Sequence, residues 1–185
     1  MKLKLFVQAI IKFLLGVVLV GLLVFLPAGT LSYFNGWVFM GILFIPMFVA
    51  GIVMMIKNPE LLKKRLDAKE KEQEQTLVVK LSGLMFLAGF IVAGLDFRFG
   101  WLVMPKDVSI IAAAVFLTGF ILFAEVLREN TYLSRVIEVQ ENQKVIDTGL
   151  YSVVRHPMYS ATIILFLAIP LILGSVISFI ISIII

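Results

Sequence analysis

The chain is expected to be an all-α, polytopic transmembrane protein of about five spans, with its N-terminus in the cytoplasm. Of its 185 residues, 61% are hydrophobic and the mean hydropathy is +1.08, more apolar side chain than a soluble domain of this size needs. Several stretches reach the roughly 20 apolar residues that cross a bilayer as a helix. The short segments of alternating polarity expected of a membrane β-barrel do not occur in the sequence.

The spans follow in order as a single transmembrane domain over 1–185. The first is about Leu5–Leu26. Lys2, Lys4 and Lys12 before Phe13–Leu26 resemble the start of a signal peptide, but Pro27-Ala28-Gly29 is a poor cleavage site and further spans follow, so it is read as a retained span. The second is about Trp37–Ile56, with Pro46 near its middle as an expected kink. The third is about Leu77–Leu95 and the fourth about Val108–Leu127. The last apolar stretch covers 158–185. As one helix it would be about 42 Å long, beyond a hydrocarbon core of about 30 Å, and Pro170 and Gly174 are where it could break to leave half a span.

Charge sets the orientation. Fourteen of the sixteen Lys and Arg residues fall in the N-terminus, the 57–80 region and the 128–156 segment, with Arg98 and Lys106 alone on the other side. The positive-inside rule puts the first group in the cytoplasm, and an inner membrane is the expected location. Tyr33, Phe34, Trp37, Phe97, Phe99 and Trp101 are then expected to form an aromatic belt at the outer face.

Two cytoplasmic segments are implied, 57–76 and 128–156. Asn58-Pro59-Glu60 reads as a helix start, with Asn as N-cap, Pro in the first turn and an early acidic residue. Leu61, Leu62 and Leu66 among Lys63, Lys64 and Arg65 suggest a short amphipathic helix on the inner leaflet, and a solvated charged connector is the other reading. In the second segment Val136, Ile137, Val139, Val145 and Ile146 are spaced among charges, and Asp147-Thr148-Gly149 reads as a turn.

Several chemistries are excluded early. The chain has no cysteine and one histidine, so thiolate nucleophiles, zinc–thiolate sites and multi-histidine metal sites are ruled out. The eight methionines read as packing filler. Glu125 and Arg128 read as an ordinary helix pair, Lys80 as a snorkelling residue, and Asp96 as the far end of the third span.

The ionisable residues that remain gather at residues 149–159, Gly-Leu-Tyr-Ser-Val-Val-Arg-His-Pro-Met-Tyr, where polar sequence runs into the last apolar stretch. Pro157 suits a first helical turn. The helix start it opens presents unbonded backbone N–H groups and a partial positive charge, suited to an anion or carboxylate. Arg155 adds a fixed cationic fork, and His156 a group that titrates near neutrality. The plainer reading is that Arg and His snorkel, Tyr belongs to an interfacial belt and Pro begins a helix.

The stretch Val145-Ile146-Asp147-Thr148-Gly149-Leu150-Tyr151-Ser152-Val153-Val154-Arg155-His156-Pro157-Met158-Tyr159 resembles the signature of the isoprenylcysteine carboxyl methyltransferase family. Phospholipid N-methyltransferases share a looser form of it. Pro170-Leu171-Ile172-Leu173-Gly174-Ser175 fits the family's next helix, and the strong likeness covers about 30 residues. The resemblance implies S-adenosylmethionine as methyl donor at the cytoplasmic face and a lipid-like substrate, isoprenylcysteine-type, entering from the bilayer and methylated on a carboxylate. It makes Val145, Ile146, Gly149, Tyr151, His156 and Tyr159 cofactor contacts, and Arg155 the residue that orients a carboxylate. Methyl transfer of this kind needs alignment and water exclusion rather than a metal.

The chain departs from the family at its end. Members continue into a cytoplasmic helix with an arginine and paired glutamates that completes the cofactor pocket, whereas this sequence closes on the apolar run to Ile185. The expectation is a truncated form that binds cofactor weakly or not at all unless Glu138, Glu141 or Asp147 substitutes. The alternative function is then a catalytically inactive membrane scaffold or partner-binding protein.

Overall fold

The computed structural model describes residues 2–66, 73–130 and 146–184. Among these, every regular element is helical: α1 (Lys2–Ala28), α2 (Phe34–Lys57), α3 (Pro59–Leu66), α4 (Gln73–Phe99), α5 (Lys106–Glu129), a 3₁₀ turn (Gly149–Ser152), α6 (Pro157–Leu173) and α7 (Val176–Ile184). Four helices, α1, α2, α4 and α5, are long and apolar enough to cross a membrane, and α6 is a shorter apolar helix of 17 residues. The chain is a polytopic membrane protein.

Their exposed apolar surface fits that solvent. Leu14, Leu15, Val18, Leu19 and Leu22 of α1 are each more than half exposed, which is expected where lipid replaces water. Without a hydrophobic force between helices in lipid, tight approach depends on small residues. A Cβ on Gly94 would lie 2.7 Å from the Val24 carbonyl oxygen, so α4 sits directly on the backbone of α1. A Cβ on Gly119 would lie 2.9 Å from Ile164 Cγ2, which brings α5 onto α6 in the same way. Around these contacts Val24, Phe39, Phe90, Ala93, Phe116 and Ile172 form the buried core. Helix α2 runs through Pro46 without a break.

The bundle has two unlike ends. The basic end holds the starts of α1, α4 and α6, the ends of α2 and α5, and α3. Asn58 caps α3 as its spacing predicts, accepting the Leu61 N–H at 3.1 Å. Leu61 and Leu62 turn inward. Lys12 Nζ donates to the Leu66 carbonyl at 2.5 Å, and the Arg65 guanidinium lies 5.4 Å from the centre of the Phe123 ring. Glu125 and Arg128 form the expected i,i+3 pair, at 2.5 Å.

The far end is a hydrogen-bonded knot, and it divides the last apolar stretch. The 158–185 segment is not one rod. Gly174 sits at φ +77°, in the left-handed region that ends helices, and its N–H and that of Ser175 donate to the Leu171 and Pro170 carbonyls. Ser175 then caps α7, its Oγ accepting the Ser178 N–H at 3.1 Å. The turn is held from outside: Met104 N–H donates to Gly174 O at 2.8 Å, and Val176 N–H to Leu102 O at 3.1 Å. Helix α7 therefore doubles back along α4, where Ser178 Oγ donates to the Gly89 carbonyl at 2.9 Å. The half-span that Pro170 and Gly174 allowed is present, and Gly174 makes the break while α6 carries Pro170 internally.

Tyr33 corrects the belt. Phe34, Trp37, Phe97, Phe99 and Trp101 are exposed, but Tyr33 is only 1% exposed. Its ring stacks on Phe97 at 4.2 Å, and its hydroxyl donates to the Leu173 carbonyl at the end of α6. A phenol that finds a buried acceptor gains more there than at an interface. Beside it Asp96 is fully buried; its Oδ1 accepts the Leu102 N–H at 2.7 Å, and its Oδ2 has no hydrogen-bond partner among the described residues. Asn35 Nδ2 donates to Ser109 Oγ, which donates to the Leu171 carbonyl, both at 3.1 Å.

Candidate functional site

The 146–159 segment lies at the basic end, between the end of α5 and the start of α6. Its shape is set by Gly149, whose φ of +55° favours glycine. The 3₁₀ turn that follows is closed by Ser152 Oγ donating to the Gly149 carbonyl at 2.7 Å and by Tyr151 N–H donating to Thr148 O at 3.1 Å. Val153 and Val154 N–H groups both donate to Leu150 O. Pro157, buried at the first position of α6, then starts the helix, with His156 as its N-cap residue.

The end of α5 grips this turn. The Glu129 carboxylate lies so close to Gly149 that an added Cβ would sit 2.3 Å from its Oε1. The next residue, Asn130, donates from Nδ2 to the Tyr151 hydroxyl at 3.1 Å. The end of α5 thus meets the turn twice, with the Glu129 carboxylate beside Gly149 and the following Asn130 hydrogen-bonded to Tyr151. Glu129, Asn130 and Tyr151 are all half-buried.

The expected site residues distribute as follows. Gly149 and Tyr151 come together with Glu129 and Asn130 at the α5 end, and Ile146 is half-buried. His156 and Tyr159 form a second group, their rings 5.6 Å apart and tilted by 34°. Both are exposed, Tyr159 by 53%, and so is Arg155. Neither cavity described in the fold, one between α4, α6 and α7 and one between α1, α2 and α3, is lined by these residues. Val145, Glu138 and Glu141 lie outside the described residues, and Asp147 is exposed.

Glu129 and Asn130 were not singled out in the sequence. Arg128-Glu129-Asn130 reads there as the charged flank of a span, and only the long-range contact to Gly149 and Tyr151 gives the pair a role. The usable signal was the glycine, which marks a turn but not the residue that packs against it. Among the described residues no group of three or more His, Asp or Glu side chains is placed to hold a metal.

Residues 98–185 match the sequence model of the family described as phospholipid methyltransferase, a membrane methyltransferase family related to isoprenylcysteine carboxyl methyltransferases. No curated protein and no solved structure gives a match. The matched segment takes in α5, the 3₁₀ turn, α6 and α7, and with them every site residue described above. Over this segment the chain is similar to membrane methyltransferases.

Proposed function

We propose that the chain is an integral membrane methyltransferase that uses S-adenosylmethionine to methylate a polar group on a lipid-like molecule. The reading rests on one observation, the grip of Glu129 and Asn130 on the Gly149–Ser152 turn just before α6 opens. This turn lies within the segment similar to phospholipid methyltransferases.

The residues present suit such a donor. Gly149, with no side chain, leaves room for the Glu129 carboxylate against its backbone. Glu129 supplies a half-buried carboxylate for an ammonium or for ribose hydroxyls. The N–H groups at the start of α6 suit a carboxylate. His156 and Tyr159 offer paired rings for an adenine face or a sulfonium. Ile146 precedes the turn and Tyr151 lies within it.

When bound, the sulfonium supplies an already activated methyl group. The protein's part is to hold an acceptor oxygen or nitrogen in line with it and to keep water away. Arg155, exposed just before α6, would orient the acceptor. Its fork matches a carboxylate in two parallel hydrogen bonds, which favours a carboxylate acceptor of the isoprenylcysteine type. A second reading, an amine on a phospholipid headgroup, is favoured by the similarity to phospholipid methyltransferases; Arg155 would then contact the phosphate. The basic end would face the cytoplasm, because among the described residues it carries every Lys and Arg but Arg98 and Lys106.

Binding of S-adenosylmethionine to the full chain in lipid nanodiscs tests the proposal. Saturable binding is expected, with a loss of tenfold or more for His156→Ala at unchanged thermal midpoint. A folded wild-type chain that binds no cofactor at millimolar concentration would leave the scaffold reading in its place. Transfer of radiolabelled methyl groups to carboxylate-bearing or amine-bearing lipids then separates the two acceptors.

A further inference from the structure

A second feature of the basic end lies outside the segment shared with phospholipid methyltransferases. Helices α1 and α2 pack closely toward the far end, where Phe25 meets Trp37 with ring centres 4.7 Å apart. They separate toward the basic end. The wedge between them is a cleft of about 360 Å³ lined by apolar residues, among them Phe6, Ile10 and Phe13 of α1, Gly51 and Met55 of α2, and Leu62 of α3. Phe13 closes its floor, packed on Phe44 and Phe48. The roof is α3, whose Leu62 is buried and whose C-terminal carbonyl is held by Lys12.

The size of the cleft limits what can fill it. The volume is within the roughly 300–1,000 Å³ of small-molecule sites. The lining offers no array of polar groups to read a soluble ligand, and Met47 and Met55 give walls that adapt to a flexible chain. Lys4, Lys57 and Lys63, each exposed, lie within two residues in the chain of Phe6, Ile56 and Leu62 in the lining, so the segments that bound the cleft carry positive charge. Lysines attract negative charge without fixing a headgroup geometry.

We infer that the cleft between α1, α2 and α3 holds one acyl chain of an anionic phospholipid, its headgroup beside Lys4, Lys57 and Lys63. The chain enters sideways between α1 and α2, because α3 covers the end. The site is separate from the methyl-transfer proposal and needs no cofactor.

Gly51 provides the test. It lines the cleft, and a Cβ built on it meets nothing within 4 Å, so a leucine there fills the space without striking the backbone. Gly41 also has nothing within 4 Å of its Cβ and is not in the lining, so Gly41→Leu is the matched control for the change in helix propensity. The full chain is purified from nanodiscs of phosphatidylcholine and phosphatidylglycerol in equal amounts, and retained lipid is counted by native mass spectrometry. The expected result is one retained phosphatidylglycerol per chain, at least fivefold preferred over phosphatidylcholine. Gly51→Leu should lose it and Gly41→Leu should keep it. Lys57→Gln with Lys63→Gln should retain lipid with the preference lowered. Lipid retained equally by Gly51→Leu and wild type overturns the site, and equal retention of the two headgroups by wild type overturns its anionic character. These outcomes are read without S-adenosylmethionine, so failure of the methyl-transfer proposal leaves them unaffected.

Discussion

Gly149→Ala perturbs the proposed cofactor turn and leaves the bundle core untouched. Two strains follow. An L-residue in the left-handed region costs about 1–2 kcal/mol, and φ here is +55°. The new Cβ would also lie 2.3 Å from Glu129 Oε1, 2.9 Å from Cδ and 3.0 Å from Cγ. The carboxylate is the end of a flexible side chain, so it swings away at modest cost, and the backbone strain dominates. The turn is surface structure and can open locally, so the thermal midpoint should change little. Affinity for S-adenosylmethionine should fall, because a cofactor that needs the native turn must restore it against about 1–2 kcal/mol, roughly a 5- to 30-fold weaker Kd. Titration calorimetry in nanodiscs reads the effect. Glu129→Ala provides the second arm: in that background the clash is gone, so Gly149→Ala should weaken binding by the backbone share alone, and Gly149→Asn, whose side chain tolerates this region, should weaken it less. A folded Gly149→Ala chain with wild-type affinity would refute the placing of cofactor on this turn.

Two predictions concern the far end. The Tyr33 phenol is raised above its ordinary value of 10.0, first by burial and then by the neighbouring Asp96 carboxylate. A group whose folded-state value is raised contributes stability below its unfolded value and loses it as pH rises, so part of the fold's stability should drain away as pH climbs above about 10. Tyr33→Phe should remove that component, visible as a shallower fall in thermal midpoint between pH 9 and 11, while losing about 0.5–1.5 kcal/mol at neutral pH with the bond to the Leu173 carbonyl. Asp96→Ala strands the Leu102 N–H and should destabilise by about 1–3 kcal/mol, whereas Asp96→Asn keeps that acceptor and should melt well above the alanine variant. An alanine variant as stable as wild type would show that Asp96 does not hold the loop.

Features fixed within one helix were legible in the sequence, and features fixed between helices were not. The spans follow from apolar run length, and the Asn58 cap from three adjacent residues, because both are local. The position of the break in the last stretch was open between Pro170 and Gly174. It is settled by partners far away in the chain: Leu102 and Met104 bond the turn, and Asn35 Nδ2 stands 2.8 Å from where a Gly174 Cβ would lie. Tyr33 looked like a belt residue because its acceptor is 140 positions away. The candidate site shows the same division. Gly149, Tyr151 and the opening of α6 could be picked out from the motif. Their clamp from Glu129 and Asn130 could not, since a glutamate after a span carries no mark of the glycine it will touch.

The knot at the far end decides how the molecule can yield. Three connections, the α1–α2 turn, the α4–α5 loop and the α6–α7 turn, are stitched together there by side-chain and main-chain bonds. At the opposite pole α1 and α2 part company around an apolar wedge. A body fastened at one tip and loose at the other opens like a pair of tongs. Guests arriving from the bilayer would prise the jaws at the lysine-rich rim, and the hinge behind them would keep the alignment of the rods.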